Sequence, residues 1–449
     1  MDEPWLRELL DRATASEPPM GPVAANALRA GLRRRQRRRA QGTAACVAAA
    51  AVIGAATVAV TGPGHPATGS AGVTRPSTVF VLTGTGVLRP IPTATDRPGK
   101  PIAVGNGQIM AITPDGKTIY VGDDYVSQEQ PKPAVVPVSA VTDTAGKPIL
   151  MEEVPSQILI TPNGKTAYVL GLAGGPADIV PIATATNTPE KAIKVGMTGG
   201  GAYQMAITPD GKTLYVISSS REGEAPSYVI PIATATNTPG KPIKIQNTDV
   251  GEIVMNPDGG AAYAIGRSTT GTEIVPVTTA TNTPGKPVRV GPGAGALAIT
   301  PDGQILYLIQ LGTYGAKPGP SGVIPFATAT STPGKLIKIG GYVYAMAVTP
   351  DSSTAYVASE PPTKPEPPGC TGQTGEVTPI STATNAAGRP ILVACDPYFL
   401  AITPDGKTVW VGSGNRTITP IATATNTPGK PIKFRGVIKA IAVSPWPGA

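Results

Sequence analysis

The chain has 449 residues, with 54 Gly and 51 Pro but only 15% charged and 4% aromatic side chains, a composition of many turns and few long helices. One His and three Cys exclude most histidine-based catalytic and metal chemistry, a Cys-rich zinc module and a disulfide-dense scaffold. Of the net charge of +8, residues 1–42 supply nine basic and five acidic side chains; the other 407 residues carry 28 and 24, close to neutral, so a nucleic-acid partner is not expected.

Pro4 to Thr14 has helical apolar spacing at Trp5, Leu6, Leu9 and Leu10, and Pro18, Pro19 and Pro22 end it. Residues 32–39 (LRRRQRRR) place six Arg in eight positions, and residues 43–60 (TAACVAAAAVIGAATVAV) follow without a charge. Eighteen uncharged residues sit at the lower limit of a membrane span. The favoured reading is a single-pass anchor, residues 1–42 being a cytoplasmic tail and everything after Val60 extracytoplasmic by the positive-inside rule. A cleaved signal peptide with a long charged region and an Arg-rich nucleic-acid patch are the alternatives. Cys46 opens the apolar run, so it reads as a small helix residue rather than a lipidation site. Residues 61–77 form a Gly/Pro/Ser/Thr linker that contains the lone His65.

From residue 78 to 449 the sequence repeats. AITPDGKT stands at 111–118, 206–213 and 401–408, with variants at 159–166, 254–261, 298–305 and 347–354. PIATATNTP stands at 181–189, 231–239 and 420–428, with variants beginning at Pro90, Pro137, Pro276, Pro325 and Pro379. The residue before each TPDG-like proline is 113, 161, 208, 256, 300, 349, 403 and 444, a period near 47 that belongs to propellers or solenoids. One unit resolves into four short strands: 204–208, a Pro-Asp-Gly turn, 213–217, a variable segment, 228–234, a TNTPG turn at 236–240, and 241–245. With no helix between them, such strands form antiparallel four-stranded blades, and the expected fold is an all-β β-propeller after one N-terminal transmembrane helix. Eight third strands give eight blades; seven is the count if one unit is distorted. Residues 77–83 match a second strand and 437–445 a first strand, so the terminal strand is expected to complete the first blade and close the ring.

These units resemble the YVTN-type repeats of lactonase-like β-propellers on bacterial and archaeal surface proteins, over residues 78–449. One departure is the third-strand Pro, where that family commonly has an acidic residue. The tail, Arg block and Ala-rich span are similar to those of membrane-anchored bacterial proteins. The resemblance implies a propeller at the cell surface, and for some lactonase-type members hydrolysis of sugar lactones. No catalytic residue transfers, because residues 78–449 contain no His to act as a general base. Asp115, Asp210, Asp258, Asp302, Asp351 and Asp405 all fall in the recurrent turn, which itself demands Asp.

The one–two and three–four turns share one face of such a fold and are nearly uniform. The opposite face carries the variable connections, where binding on a rigid scaffold usually resides. Candidate contacts there are Asp123, Asp124, Tyr125, Tyr203, Arg221, Glu222, Glu224 and Tyr314. Asp123 and Asp124 lack the D-x-D-x-D-G spacing of a calcium loop, so no metal and no cofactor is assigned. Cys370 and Cys395 map to one face of one blade and are expected to form a disulfide beneath the Pro-rich segment 360–369. The functional expectation is a non-catalytic binding or scaffolding module for a surface protein or cell-wall polymer, held to the membrane through residues 43–60. A lactonase-type hydrolase is the alternative.

Overall fold

The computed structural model describes residues 77–124, 132–172, 177–195, 200–220, 226–245, 249–268, 271–291, 294–310, 321–360 and 374–444. The tail, Arg block, apolar stretch and most of the linker lie outside them. The described residues contain no helix; their strands form eight antiparallel sheets, each a four-stranded meander. The chain is an eight-bladed β-propeller. First strands of neighbouring blades pack against each other at the centre, and later strands step outward. The closing sheet takes its innermost strand, Ile438–Val443, from the far end of the chain and pairs it with Thr78–Thr83, Val79 opposite Val443. Pairing the first blade with the last leaves no open blade edge at the junction.

The hairpin of the first two strands follows from the octapeptide. In residues 208–213 the Thr208 hydroxyl and the Lys212 N–H both donate to Asp210 Oδ1 (2.6 and 3.0 Å), and Thr213 N–H donates to Thr208 Oγ1 (3.0 Å). Gly211 supplies the left-handed residue, φ +70°. The same bonds recur around Asp115, Asn163, Asp302, Asp351 and Asp405, so each of these side chains is occupied in closing a turn.

The third-to-fourth turn places its fourth residue in the left-handed region in all eight blades. Asp96, Asp143, Asn187, Asn237, Asn282, Ser331, Asn385 and Asn426 have φ of 52–55°. Asn and Asp tolerate that conformation best among residues with a Cβ. The fourth strand departs from the expected 241–245. It begins directly after the left-handed residue, as Thr238–Pro239, breaks, and resumes as Ile243–Ile245, both pieces pairing the third strand. The break has a chemical cause: Pro231 and Pro242 have no N–H to donate, so one backbone bond, Gly240 N–H to the Pro231 carbonyl (2.7 Å), bridges the gap. The residue after each bridging position is a cation in every blade: Lys100, Lys147, Lys191, Lys241, Lys286, Lys335, Arg389 and Lys430, all exposed.

The first strands contain a feature absent from the sequence reading. Each carries a one-residue β-bulge at the same place, at Gln108, Ser156, Tyr203, Gly251, Gly295, Tyr344, Tyr398 and Lys439. The strands accordingly run further toward the variable end than expected; 204–208 is in fact Gly200–Ile207.

Eight apolar clusters fill the spaces between blades, each built from second- to fourth-strand residues of one blade and first- to third-strand residues of the next. A polar latch rides on top. The buried second-strand Tyr donates its hydroxyl to the left-handed Asn of the following blade: Tyr120 to Asn187, Tyr168 to Asn237, Tyr215 to Asn282, Tyr307 to Asn385 and Tyr356 to Asn426, at 2.6–2.8 Å. At three junctions the pair is altered, to Phe80 with Asp143, Tyr263 with Ser331 and Trp410 with Asp96.

Candidate functional site

The two ends of the blades are unlike. In the seven blades formed from one continuous stretch, five residues separate first from second strand, and four separate the third strand from the fourth. Between second and third strands the connection varies from two residues, after Ser268, to thirteen, after Glu360. A Thr hydroxyl further ties the two turns of the uniform end together: Thr184, Thr234, Thr279, Thr328, Thr382 and Thr423 each donate to a carbonyl of the first turn, at 2.5–2.7 Å. Variation is confined to the opposite face.

On that face the bulges bring aromatic side chains together. Tyr344 is the bulge residue of strand Tyr342–Val348, and Tyr398 that of the next blade's strand Pro397–Ile402. Their ring centroids lie 4.8 Å apart, edge to face at 80°. Tyr342 stands 5.2 Å from Tyr344, and Phe399 6.5 Å from Tyr398, so the rings form a continuous ledge across two blades. Edge-to-face contacts at these spacings are favourable beyond the area they bury. Tyr398 remains 37% exposed, the open end of the ledge.

Carboxylates border it. The Tyr344 hydroxyl donates to Glu360 Oε2 at 2.5 Å. Burial, this bond and the Glu360 charge, with Tyr398 and Asp396 adding, push the Tyr344 phenol far above the ordinary tyrosine range, so it stays a neutral donor. Asp396, itself left-handed at φ +53°, accepts the N–H groups of Tyr398 (2.8 Å) and Gly414 (2.9 Å) on its carbonyl. A Cβ on Gly414 would meet Asp396 Cβ at 2.7 Å and Tyr398 Cε2 at 3.0 Å, so the ledge needs glycine there. Exposed phenol faces with anionic acceptors at their edge suit a ligand with an apolar C–H face and hydroxyl or cationic donors.

The expected contacts are placed differently. Asp123 ends strand Thr118–Asp123 fully buried, its carboxylate lying over Gly105, where a Cβ would come within 1.9 Å of Oδ2; it is part of the blade wall. Asp124 is half-buried beside it. Tyr203 occupies the bulge of its strand. Tyr125, Arg221, Glu222, Glu224, Tyr314 and Cys370 lie outside the described residues. Cys395 is 3% exposed and disulfide-bonded, with its partner outside them as well. Among the described residues no three His, Cys, Asp or Glu side chains gather to hold a metal, and no helix is long and apolar enough to cross a membrane. The ledge was missed because the expected first strand, 204–208, leaves Tyr344 and Tyr398 at the equivalent position just before a strand; the signal was their offset of five residues before the turn Thr at 349 and 403, the offset Tyr203 has before Thr208.

No family model matches the chain, and no curated protein matches it. Solved structures do. The dihydro-heme d1 dehydrogenase NirN aligns over 85% of this chain and 78% of its own, with a TM-score of 0.63 and 12% identity. Citrobacter koseri AztD aligns over 83% and 98%, at 0.54 and 12% identity, and Kuenenia stuttgartiensis hydrazine synthase over 65% and 90%, at 0.50 and 20% identity. At these identities the likeness is one of fold, the β-propeller.

Proposed function

We propose that this protein is a membrane-anchored, extracytoplasmic β-propeller that binds a surface polymer without chemistry, through its variable face. The observation that carries the reading is the ledge of Tyr342, Tyr344 and Tyr398, which crosses two blades and is edged by Glu360 and Asp396. A saccharide ring stacks its C–H face on a phenol and donates hydroxyls to a carboxylate, so the ligand class is a cell-wall glycan. Residues 43–60 are the anchor in this reading, with residues 1–42 on the cytoplasmic side. Cys370 is the partner of Cys395, clipping the thirteen-residue connection to the blade that carries the ledge.

Retention of the full chain on insoluble cell-wall glycan tests the site. Tyr398→Ala removes the exposed ring and is expected to lower retention at least tenfold with an unchanged unfolding midpoint. Equal retention would overturn the assignment, and depolymerisation of the glycan would move the reading to a hydrolase. Protease treatment of intact cells should release propeller peptides and spare residues 1–42. Protection of the whole chain, against disrupted cells as control, would remove the anchor. Non-reducing peptide mapping should recover a Cys370–Cys395 cross-link; a Cys46–Cys395 cross-link would refute the pairing.

A further inference from the structure

The bulge residues stand one per blade toward the variable face, and in four consecutive blades they are Tyr344, Tyr398, Lys439 and Gln108. Ser156, in the blade after Gln108, is buried and turns its hydroxyl to the Leu170 carbonyl of its own blade at 3.1 Å, so the row ends there. The first three lie over the end of their own second strand. The Tyr344 hydroxyl meets Glu360, and the Tyr398 ring rests on Gly414, where a Cβ would come within 3.0 Å of Cε2. Lys439 follows the same course: a Cβ on Gly84 would meet its Cε at 3.1 Å and its Cγ at 3.8 Å. Glycine at 84 lets the lysine stem lie flat, as glycine at 414 does for the ring.

The blades of Tyr398 and Lys439 are packed together at this level. Phe399, the residue after Tyr398, and Ile438, the residue before Lys439, share one apolar cluster. A Cβ on Gly412, between them, would lie 3.2 Å from Phe399 and 3.4 Å from Ile438. Lys439 therefore continues the row beyond Tyr398, the exposed ring of the ledge. It is half-buried, is the one cation among the eight bulge residues, and enters none of the ion pairs formed among the described residues. Gln108, next in the row, gives one amide hydrogen to the Asn106 carbonyl at 3.1 Å and keeps the other. A stem already laid against the blade loses less rotamer freedom on meeting an anion than a fully solvated lysine does.

We propose that Lys439 and Gln108 form an anion subsite continuous with the tyrosine ledge, so that the glycan bound there is an acidic one, with a carboxylate on the sugar next to the one stacked on Tyr398. The proposal rests on the glycan reading above. One cation between a phenol and an amide matches isolated carboxylates on a chain of otherwise neutral sugars. A phosphodiester polymer, charged at every unit, would set its other charges against Glu360 and Asp396.

The test is calorimetric titration of the full chain in detergent with two β-1,4-linked amino-sugar tetrasaccharides, one carrying a lactyl carboxylate on alternate units, the other with those carboxyls reduced to alcohols. At low salt the acidic saccharide is expected to bind about fivefold more tightly, the size of one partly exposed charge pair. The preference should vanish in 0.5 M NaCl, because the attraction is screened, and in Lys439→Gln, and it should survive in Lys439→Arg. Lys439→Gln should bind the reduced saccharide as the wild type does, which separates a lost charge from a lost fold. Equal binding of the two saccharides by the wild type, or a preference kept by Lys439→Gln, would overturn the subsite and leave the ledge standing. Tighter binding of a glycerol phosphate oligomer than of the acidic saccharide would overturn the carboxylate assignment. Binding of neither saccharide by the wild type would overturn the glycan reading itself, and the subsite with it.

Discussion

The latch between blades makes a quantitative prediction. Tyr215→Phe keeps the buried ring in its cluster and removes only the hydroxyl that donates to Asn282 Oδ1 at 2.7 Å. Asn282 lies in an exposed turn, so its oxygen regains water when the bond is lost, and the penalty of a dry unpaired acceptor does not apply. The expected cost is therefore the net worth of one neutral hydrogen bond, about 1 kcal/mol. The partner is cut back as Asn282→Gly, since glycine keeps φ near +54° without strain and alanine would add an unrelated cost. Urea unfolding of the wild type, both single variants and the double variant gives the coupling, expected at about 1 kcal/mol. Junctions around the ring share no partners, so Tyr→Phe at 120, 168, 215, 307 and 356 together should cost about five times the single value. A coupling within error of zero would refute the latch, and five substitutions costing no more than one would refute independent junctions.

The other expectations are simpler. Burial raises Tyr120, Tyr168 and Tyr307 to about 12, above the ordinary tyrosine value of 10, so between those pH values the unfolded chain loses phenolic protons that the native state keeps. The tyrosine contribution to stability should be flat below pH 10 and fall from 10 to 12, with a shallower slope in Tyr120→Phe; identical slopes in urea midpoints would contradict it. The Thr208 and Thr349 hydroxyls, and then backbone N–H groups, hold Asp210 and Asp351 below the usual carboxylate value of 3.8. Their contribution is present at neutral pH and lost as pH falls below about 4, so Asp210→Ala should unfold more easily at pH 7 and show less acid sensitivity. Ser331 occupies a left-handed position that Asn holds in five blades, and Tyr263 there turns to the side chains of Asn256 and Thr328 instead. Ser331→Asn should stabilise by about 0.5 kcal/mol, read as a raised urea midpoint. Gly414→Ala should displace Asp396 and Tyr398 and weaken glycan retention severalfold; full retention would detach the ledge from binding.

The sequence was informative where one unit of chain made one unit of structure. The octapeptide contains its own hairpin, since the Thr, Asp and Gly that close it lie within six residues. Blade number and ring closure followed from counting such units, and the structure has both. What stayed hidden depended on partners a blade away. The Tyr120–Asn187 bond spans 67 residues, and no local pattern marks either side chain as half of a pair. The bulges were invisible for a different reason. Their eight positions hold Gln, Ser, Tyr, Gly, Gly, Tyr, Tyr and Lys, a set with no common chemistry, because a bulge is imposed by the two-versus-one pairing of strands. The expected first strand, 204–208, stops short of the bulge at Tyr203, so Tyr344 and Tyr398, at the same offset, lay outside the expected strands and nothing brought them together. Asp123 erred the other way: an acidic residue beside a variable loop reads as a ligand contact, but its carboxylate is folded over Gly105.

The division between the two faces has a single mechanical origin. In six blades each turn of the uniform end is bonded twice, once within itself and once to the other turn of its blade through a Thr hydroxyl, so a residue inserted in either turn breaks both. The variable end has no such cross-tie among the repeated bonds. Its strands pass through a bulge that absorbs a shift of register, and its second-to-third connections run from two to thirteen residues over the same scaffold. Change therefore accumulates at one end, while any group attached to the other is copied once per blade at a fixed position. A ligand pocket of individual shape can arise only at the first end. The tyrosine ledge thus follows from a repeat whose two ends differ in how tightly their turns are bonded.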